Sequence, residues 1–170
     1  NGADTSAGAT PHFTTVMLGQ EAKVTLTPVH YRGGAPAMED LIGGHVPASV
    51  NPVSEVMAFA SAGKIRALAV TGEKRTPFLP GVPTMKEQGF NVVVESMTGV
   101  FVPAKTPARI VEALNGAMRK ATASKQMIDS LAKFGTEPTY MTTADFTAWI
   151  KEEIARWQPV VKASGFKALD

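Results

Sequence analysis

Three helix starts in this chain have the form of a capping residue followed directly by proline. These dipeptides are Thr10-Pro11, Asn51-Pro52 and Thr106-Pro107. A threonine or asparagine side chain at the cap accepts hydrogen bonds from the free N–H groups of the first turn. Proline suits the first helical position, because it has no N–H to lose and its φ is already helical. The dipeptides therefore predict three helices, capped by Thr10, Asn51 and Thr106.

Short apolar stretches alternate with helix starts in the first half of the chain. Residues 24–31, 46–50 and 65–71 are predicted strands, the last one buried on both faces, and a further helix is predicted to open at Gly33-Gly34. This alternation predicts a parallel sheet with successive helix N-termini at one edge. Helix N-termini carry partial positive charge and free donors. The pattern therefore favours a site for anions and points to a receptor for small carboxylates.

The second half of the chain is predicted to be mainly helical, with the change of organisation near residue 96. One or two short strands, formed by residues 92–94 and 100–102, are predicted at this change. Three helices are predicted after them: residues 106–124, a short helix through Ile128 and Leu131, and a long helix that begins with a capping box at Thr142.

Composition excludes several classes of function. With 170 residues, 44% of them apolar, the chain can form one domain or two small ones. No apolar run reaches the roughly 20 residues of a membrane helix, and no signal peptide is visible. The net charge of +2 is small and spread out, so nucleic acid is not a predicted partner. Cysteine is absent and the three histidines lack metal-ligand spacing, so neither a metal nor another cofactor is predicted.

The same residues allow roles that need no ligand. Thr10 and Asn51 can act as helix caps alone, and Gly33-Gly34 can form a tight strand-to-helix turn. His12 is predicted to be structural or exposed. Ser6 and His12 could suggest a hydrolase, but the chain has no G-x-S-x-G elbow and no evident third member of a triad. No catalytic residue is therefore predicted.

Several short motifs occur in one order along the chain. They are residues 6–12 (SAGATPH), 31–37 (YRGGAPA), 41–46 (LIGGHV), 62–71 (AGKIRALAVT), 79–89 (LPGVPTMKEQG) and 103–107 (PAKTP). The ordered set resembles the Bug-type solute receptors of tripartite tricarboxylate transporters, over essentially the whole chain. The resemblance implies an α/β fold of the periplasmic-binding-protein type, in which two lobes close on a carboxylate.

The resemblance further implies that this chain corresponds to the C-terminal half of such a receptor, or a little more. Residues 1–96 would be the ligand-binding α/β lobe two without its first part, and thus most of one parallel-sheet lobe. Residues 97–170 would be a strand and helices that return to lobe one. The apolar helix faces of that return would lack their usual partner, so self-association of the truncated chain is an expected outcome.

The ligand loops of the family, carried over residue by residue, fall on three places in the chain. The ligand-binding residues that the resemblance implies are Ser6, Gly8, Ala9, Thr10, Tyr31, Gly33, Gly34, Ala35 and Asn51. They would hold the ligand non-covalently, through backbone N–H groups and through the side chains of Ser6, Thr10 and Asn51.

The function that the resemblance implies is that of a periplasmic solute-binding protein. Such a protein passes a small organic carboxylate to a tripartite tricarboxylate-type membrane transporter, so its partners are the ligand and the transporter subunits. Two alternatives stay open at this point: a ligand-sensing receptor for a signalling system, and an α/β enzyme acting on a carboxylate. Binding without turnover would favour the receptor over the enzyme.

Overall fold

The computed structural model describes residues 2–4 and 8–166, with side chains described from residue 8 onward. It divides the chain into two compact units. The first unit comprises Asn1–Ser96 and Pro159–Asp170, and the second comprises Met97–Gln158. The assignment of the two parts of the chain to the two lobes of a receptor stays a prediction.

A parallel sheet organises the first unit. Strand β1 (Gly2–Asp4) is central, with β2 (Pro28–His30) on one side and β3 (Ser49–Val50) on the other. The connection from β1 to β2 and the connection from β2 to β3 run in opposite directions across the sheet. Such a reversal creates a topological switch point, which is where ligands bind in open α/β sheets.

Helices alternate with these strands, as the sequence predicted. Helix α1 (Thr10–Ala22) connects β1 to β2, α2 (Gly34–Ile42) connects β2 to β3, and α3 (Val53–Ser61) follows β3. The predicted helix start at Gly33-Gly34 is confirmed, since α2 begins at Gly34. A short 3₁₀ helix (Lys86–Gln88) ends at Gly89 in a left-handed conformation. Strand β1 itself was not predicted.

The core of the first unit forms around α2. Ala37 and Met38 are 0% and 2% exposed, and Val46 packs with Ala37. Tyr31 and Leu41 lie partly buried against this cluster. The cluster therefore fixes α2 to the segments on either side of it.

Helix α1 buries two threonines without leaving their hydroxyl groups unpaired. The hydroxyl of Thr14 donates to the carbonyl oxygen of Thr10 at 2.8 Å, and that of Thr15 donates to Pro11 at 3.0 Å. Hydrogen bonds of this kind to the preceding turn satisfy a polar side chain inside a helix.

Strands β2 and β3 are shorter than the predicted strands 24–31 and 46–50, and three other predicted strands are not formed as regular strands. In residues 65–71 only Val70 makes a bridge, to Thr84, and Leu68 is 64% exposed. The prediction of a strand buried on both faces was therefore wrong, because the described residues provide one paired position and no cover for Leu68. Residues 92–94 contact Thr71 through the N–H of Val94, at 2.8 Å, without forming a regular strand. Residues 100–102 are exposed and form no strand.

Side-chain capping at the three proline-marked starts was also predicted wrongly. Helix α1 has Ala9 at its N-cap, α3 has Pro52, and α4 (Ala108–Thr122) has Pro107, and none of these caps makes a side-chain hydrogen bond. Pro52 and Pro107 have ψ values of 146° and 139°, so they lie before the helix rather than in its first turn.

Two helix starts in the second unit are capped by the side chain of the residue before the helix. Ser124 accepts a hydrogen bond from the N–H of Met127 at the start of α5 (Lys125–Ala132). Thr142 accepts from the N–H of Asp145 at 3.1 Å, which confirms the predicted start of α6 (Thr143–Ser164). Helix α6 continues beyond this unit. No helix among the described residues is both long and apolar enough to cross a membrane.

Large apolar side chains of the second unit remain exposed. Phe101, Phe134 and Ile154 are 69%, 64% and 56% exposed. Among the described residues, every apolar side chain with less than a tenth of its surface exposed belongs to the first unit. Self-association through the exposed faces stays a prediction.

Replacing Met38 by alanine should destabilise the first unit strongly. The side chain is 2% exposed, so the substitution leaves a cavity, and we expect a loss of about 2–5 kcal/mol in the free energy of unfolding. Urea denaturation followed by circular dichroism measures the loss. The control is Ile42→Ala on the same helix, where the side chain is 44% exposed and the loss should be smaller. Equal losses for the two variants would contradict this description of the core.

Candidate functional site

Three connections leave the same edge of the sheet. Because β1, β2 and β3 are parallel, their carboxyl ends at Asp4, His30 and Val50 lie together. The chain leaves these ends toward the first turns of α1, α2 and α3. The predicted ligand residues after β1, after β2 and after β3 are therefore brought to one edge. Ser6, the first of them, lies outside the described residues.

Gly8 and His12 shape the start of α1. Gly8 has a φ of +78°, and a Cβ at this position would clash with the Phe166 ring, so glycine is strongly favoured. The N–H of Gly8 donates to Nδ1 of His12 at 3.1 Å. That amide is therefore already engaged, and the donors that remain in the first turn are those of Thr10 and His12.

His12 is a structural residue, as one of the two sequence interpretations had it. Its ring is 7% exposed and lies against the rings of Phe13 and His30, with centroids 5.2 Å and 5.0 Å away. The hydrogen bond from Gly8 places the proton of the neutral ring on Nε2.

The start of α2 leaves several backbone donors unused by the helix. Gly33 is the N-cap, with a φ of +107° that favours glycine. The N–H groups of Gly34 and Ala35 belong to the first turn and have no partner within the helix, while Pro36 has no N–H. This is the part of the predicted site where an anion can approach the backbone most directly.

Tyr31 points its hydroxyl group away from the start of α2. The hydroxyl donates to Oδ2 of Asp40 at 2.6 Å, and Nδ1 of His45 lies 3.1 Å from Oδ1 of the same carboxylate. The bond from Tyr31, followed by that from His45, lowers the pKa of Asp40, and the same carboxylate raises the pKa of Tyr31. Any ligand contact by Tyr31 would thus have to involve its backbone or its ring.

Asn51 holds its side chain through the preceding strand rather than as a helix cap. Its amide nitrogen donates to the hydroxyl oxygen of Ser49. Its Oδ1 atom is buried and has no hydrogen-bond partner in the described part of the chain.

Glu55 is a residue of this site that sequence reasoning missed. It lies in the first turn of α3, and its carboxylate packs directly over Gly34, where a Cβ would clash with Oε2. Oε2 is buried and unpaired among the described residues, and burial raises the pKa of Glu55. Its place in a first turn was visible in the sequence, but its contact with Gly34 depends on how the strands are ordered.

A second concave region lies at the opposite end of α3. A cavity of about 380 Å³ is bordered there by Ser61, Arg66 and Phe78, among other residues. None of the predicted ligand residues lines it.

Comparison with known proteins identifies the family. The model for the tripartite tricarboxylate transporter family receptor matches residues 1–166. The chain belongs to this family. BugT of Bordetella pertussis is 32% identical over 161 residues, which cover 94% of this chain and 49% of BugT. A protein encoded in the clcB-clcD intergenic region of Pseudomonas knackmussii is 32% identical, and the match covers 91% of this chain and 92% of that protein.

Solved structures show the same fold. A Rhodopseudomonas palustris protein, Rpa4515 with adipate, is 33% identical, with a TM-score of 0.82 over 99% of this chain and 57% of that one. MatC from the same organism with bound malate is 27% identical, with a TM-score of 0.76 over 94% of this chain and 56% of MatC. The α/β fold of the periplasmic-binding-protein type is thereby confirmed. The chain spans about half the length of these structures and of BugT.

Replacing Tyr31 by phenylalanine should make the free energy of unfolding depend less on pH in the acidic range. Asp40 has a lowered pKa in the folded state, so its ionised form stabilises the fold above about pH 4, and this stabilisation is lost as pH falls through the lowered value. Tyr31→Phe should lower the free energy of unfolding at pH 7, and the deficit should shrink on acidification.

The control for this experiment is the other tyrosine of the chain. The hydroxyl of Tyr140 donates to the amide oxygen of Asn115, which does not titrate, at 2.7 Å. Urea denaturation at pH 7 and pH 3 compares the two variants. If Tyr31→Phe lowered the free energy of unfolding by the same amount at both pH values, the hydrogen bond to Asp40 would contribute no stability that depends on the charge of Asp40.

The contact between Gly34 and Glu55 can be measured with a double-mutant cycle. In Glu55→Ala protein, Gly34→Ala should be neutral or stabilising by up to about 1 kcal/mol, because alanine is the better helix former. In the natural chain the added methyl group must displace the carboxylate, which is the end of a flexible side chain, so the same substitution should be less favourable there than in Glu55→Ala protein. We expect a coupling free energy of about 1 kcal/mol in urea denaturation. Additive effects would mean that the carboxylate does not rest on Gly34 in solution.

Proposed function

We propose that this chain is the ligand-binding part of an extracytoplasmic solute receptor for a small organic carboxylate. The receptor would bind its ligand without covalent chemistry and deliver it to a tripartite tricarboxylate-type membrane transporter. Membership of the receptor family supports the delivery role, and the adipate and malate in two solved neighbours support a carboxylate as the ligand. Two further neighbours are described as a periplasmic transporter and as the periplasmic binding protein BugD, which supports a periplasmic location.

The observation that carries the proposal is the arrangement at the start of α2. Gly33 has open space beside its backbone, where a ligand can approach, and the N–H groups of Gly34 and Ala35 have no partner in the helix. Backbone donors at a helix N-terminus stabilise a carboxylate through hydrogen bonds and through the helix dipole. No enzymatic step is needed for this role.

Donors from the neighbouring connections would complete the site. Thr10 contributes the first-turn N–H of α1, and the residue is half-buried. Ser6 and Ala9 belong to this connection by the family resemblance. Gly8 contributes shape rather than a donor, since its N–H is engaged by His12. Asn51 contributes its unpaired Oδ1, an acceptor, because its amide nitrogen is held by Ser49.

The two compact units correspond, in this proposal, to parts of two receptor lobes. The first unit carries the sheet and all the described residues of the proposed site. Residues 97–158 would be part of the return to lobe one. Closure of two lobes around a ligand removes water from its charges and strengthens each polar contact.

Replacing Gly33 by alanine tests the site against a matched control. Alanine at a φ of +107° strains the start of α2, which should move the donors of Gly34 and Ala35 and weaken carboxylate binding about tenfold. The control is Gly44→Ala, just beyond the other end of α2, where φ is +74°. Neither glycine has an atom within 4 Å of its would-be Cβ, so neither substitution creates a clash, and both act through the backbone conformation.

Isothermal titration calorimetry with adipate and malate gives the affinities, and urea denaturation gives the stabilities. Both variants should lose stability, about 1–3 kcal/mol, with the larger loss for Gly33→Ala because of its φ of 107° and ψ of 174°, while only Gly33→Ala loses affinity. Equal loss of affinity in the two variants would contradict a site at the start of α2. Turnover of either acid by the natural chain would favour an enzyme instead.

A further inference from the structure

The start of α3 presents two acceptor atoms that the described residues leave unpaired. Oδ1 of Asn51 and Oε2 of Glu55 are both buried, and neither accepts a hydrogen bond within residues 8–166. A buried acceptor without a donor destabilises a protein, so such atoms are rare and call for an explanation. An ionised carboxylate has no hydrogen to donate, so its oxygen atoms can form hydrogen bonds only with a donor group.

Glu55 is placed where a ligand would meet it. Its carboxylate lies over Gly34, the first residue of α2, with both oxygens and Cδ within 2.6 Å of a would-be Cβ. The proposed ligand carboxylate would use the N–H groups of the same turn. Two negative charges would then lie close together in a partly desolvated place, which disfavours the complex.

A donor on the ligand removes this conflict. A hydroxyl or ammonium group beside the ligand carboxylate can donate to the carboxylate of Glu55, in a charge-assisted hydrogen bond that is stronger than a neutral one. We propose that Glu55 is a specificity-determining residue that selects carboxylates bearing a hydrogen-bond donor on a neighbouring carbon over unsubstituted dicarboxylates. This inference rests on the proposed function, since it concerns the same site.

Positions elsewhere on α2 offer a matched control. Glu39 lies on α2, the helix whose first residue contacts Glu55, and is exposed. Glu39→Gln therefore removes one negative charge from the first unit without touching the contact at Gly34. Glu55→Gln removes the charge at the site and keeps the shape of the side chain.

The experiment measures the affinities of three four-carbon acids by calorimetry: succinate without a donor, malate with a hydroxyl group and aspartate with an ammonium group. We expect the natural chain to bind malate or aspartate about tenfold more tightly than succinate, which corresponds to about 1.4 kcal/mol. Glu55→Gln should bring this ratio below about threefold, mainly by strengthening the binding of succinate. Glu39→Gln should leave the ratio unchanged. Comparison of malate with aspartate then identifies the donor.

The outcomes separate this inference from the function on which it rests. Succinate binding as tightly as malate and aspartate to the natural chain would overturn the role of Glu55 and leave a carboxylate receptor in place. An unchanged ratio in a folded Glu55→Gln variant would do the same. Failure of all three acids, and of adipate, to bind would overturn the proposed function and this inference together.

Discussion

A central strand of three residues holds the starts of three helices at one edge of the first unit. Strand β1 (Gly2–Asp4) is the only partner of both β2 and β3 among the described residues, and all the pairing is parallel. A slip of one residue in either ladder would turn every side chain of that strand to the other face. It would also shift Gly33 or Asn51 relative to Thr10, so the geometry of the proposed site depends on this register.

Two carboxylates lie near the opposite ends of α2: Glu55, which belongs to α3, and Asp40, which belongs to α2 itself. Glu55 lies at the N-terminal end, where a negative charge is favoured by the helix dipole but is partly desolvated, which raises its pKa. Asp40 lies near the C-terminal end, where the dipole disfavours a negative charge. Hydrogen bonds from Tyr31 and His45 outweigh that effect, since the pKa of Asp40 is lowered. The carboxylates near the two ends of α2 thus have pKa values that are shifted in opposite directions.

Features that depend on a few adjacent residues could be predicted from the sequence. The start of α2 at Gly33-Gly34 and the cap at Thr142 are examples, because local backbone preferences decide them. The N-cap residues at the proline-marked helix starts could not be assigned from the sequence. The φ of proline suits both the N-cap position and the first turn, and only the ψ of the proline distinguishes these two positions. The contact of Glu55 with Gly34 could not be predicted either, because it requires the order β2-β1-β3.

The two units differ in what stabilises them. In the first unit, side chains such as Met38 and Val92 are almost fully buried, and burial of apolar surface contributes about 25 cal/mol per Å². In the second unit, the described side-chain hydrogen bonds are mostly local, for example the one from the hydroxyl of Thr122 to the carbonyl oxygen of Met118, while Phe134 stays 64% exposed. Helices with uncovered apolar faces gain little from burial. The start of α2 rests on the core of the first unit, so its geometry does not require apolar burial in the second.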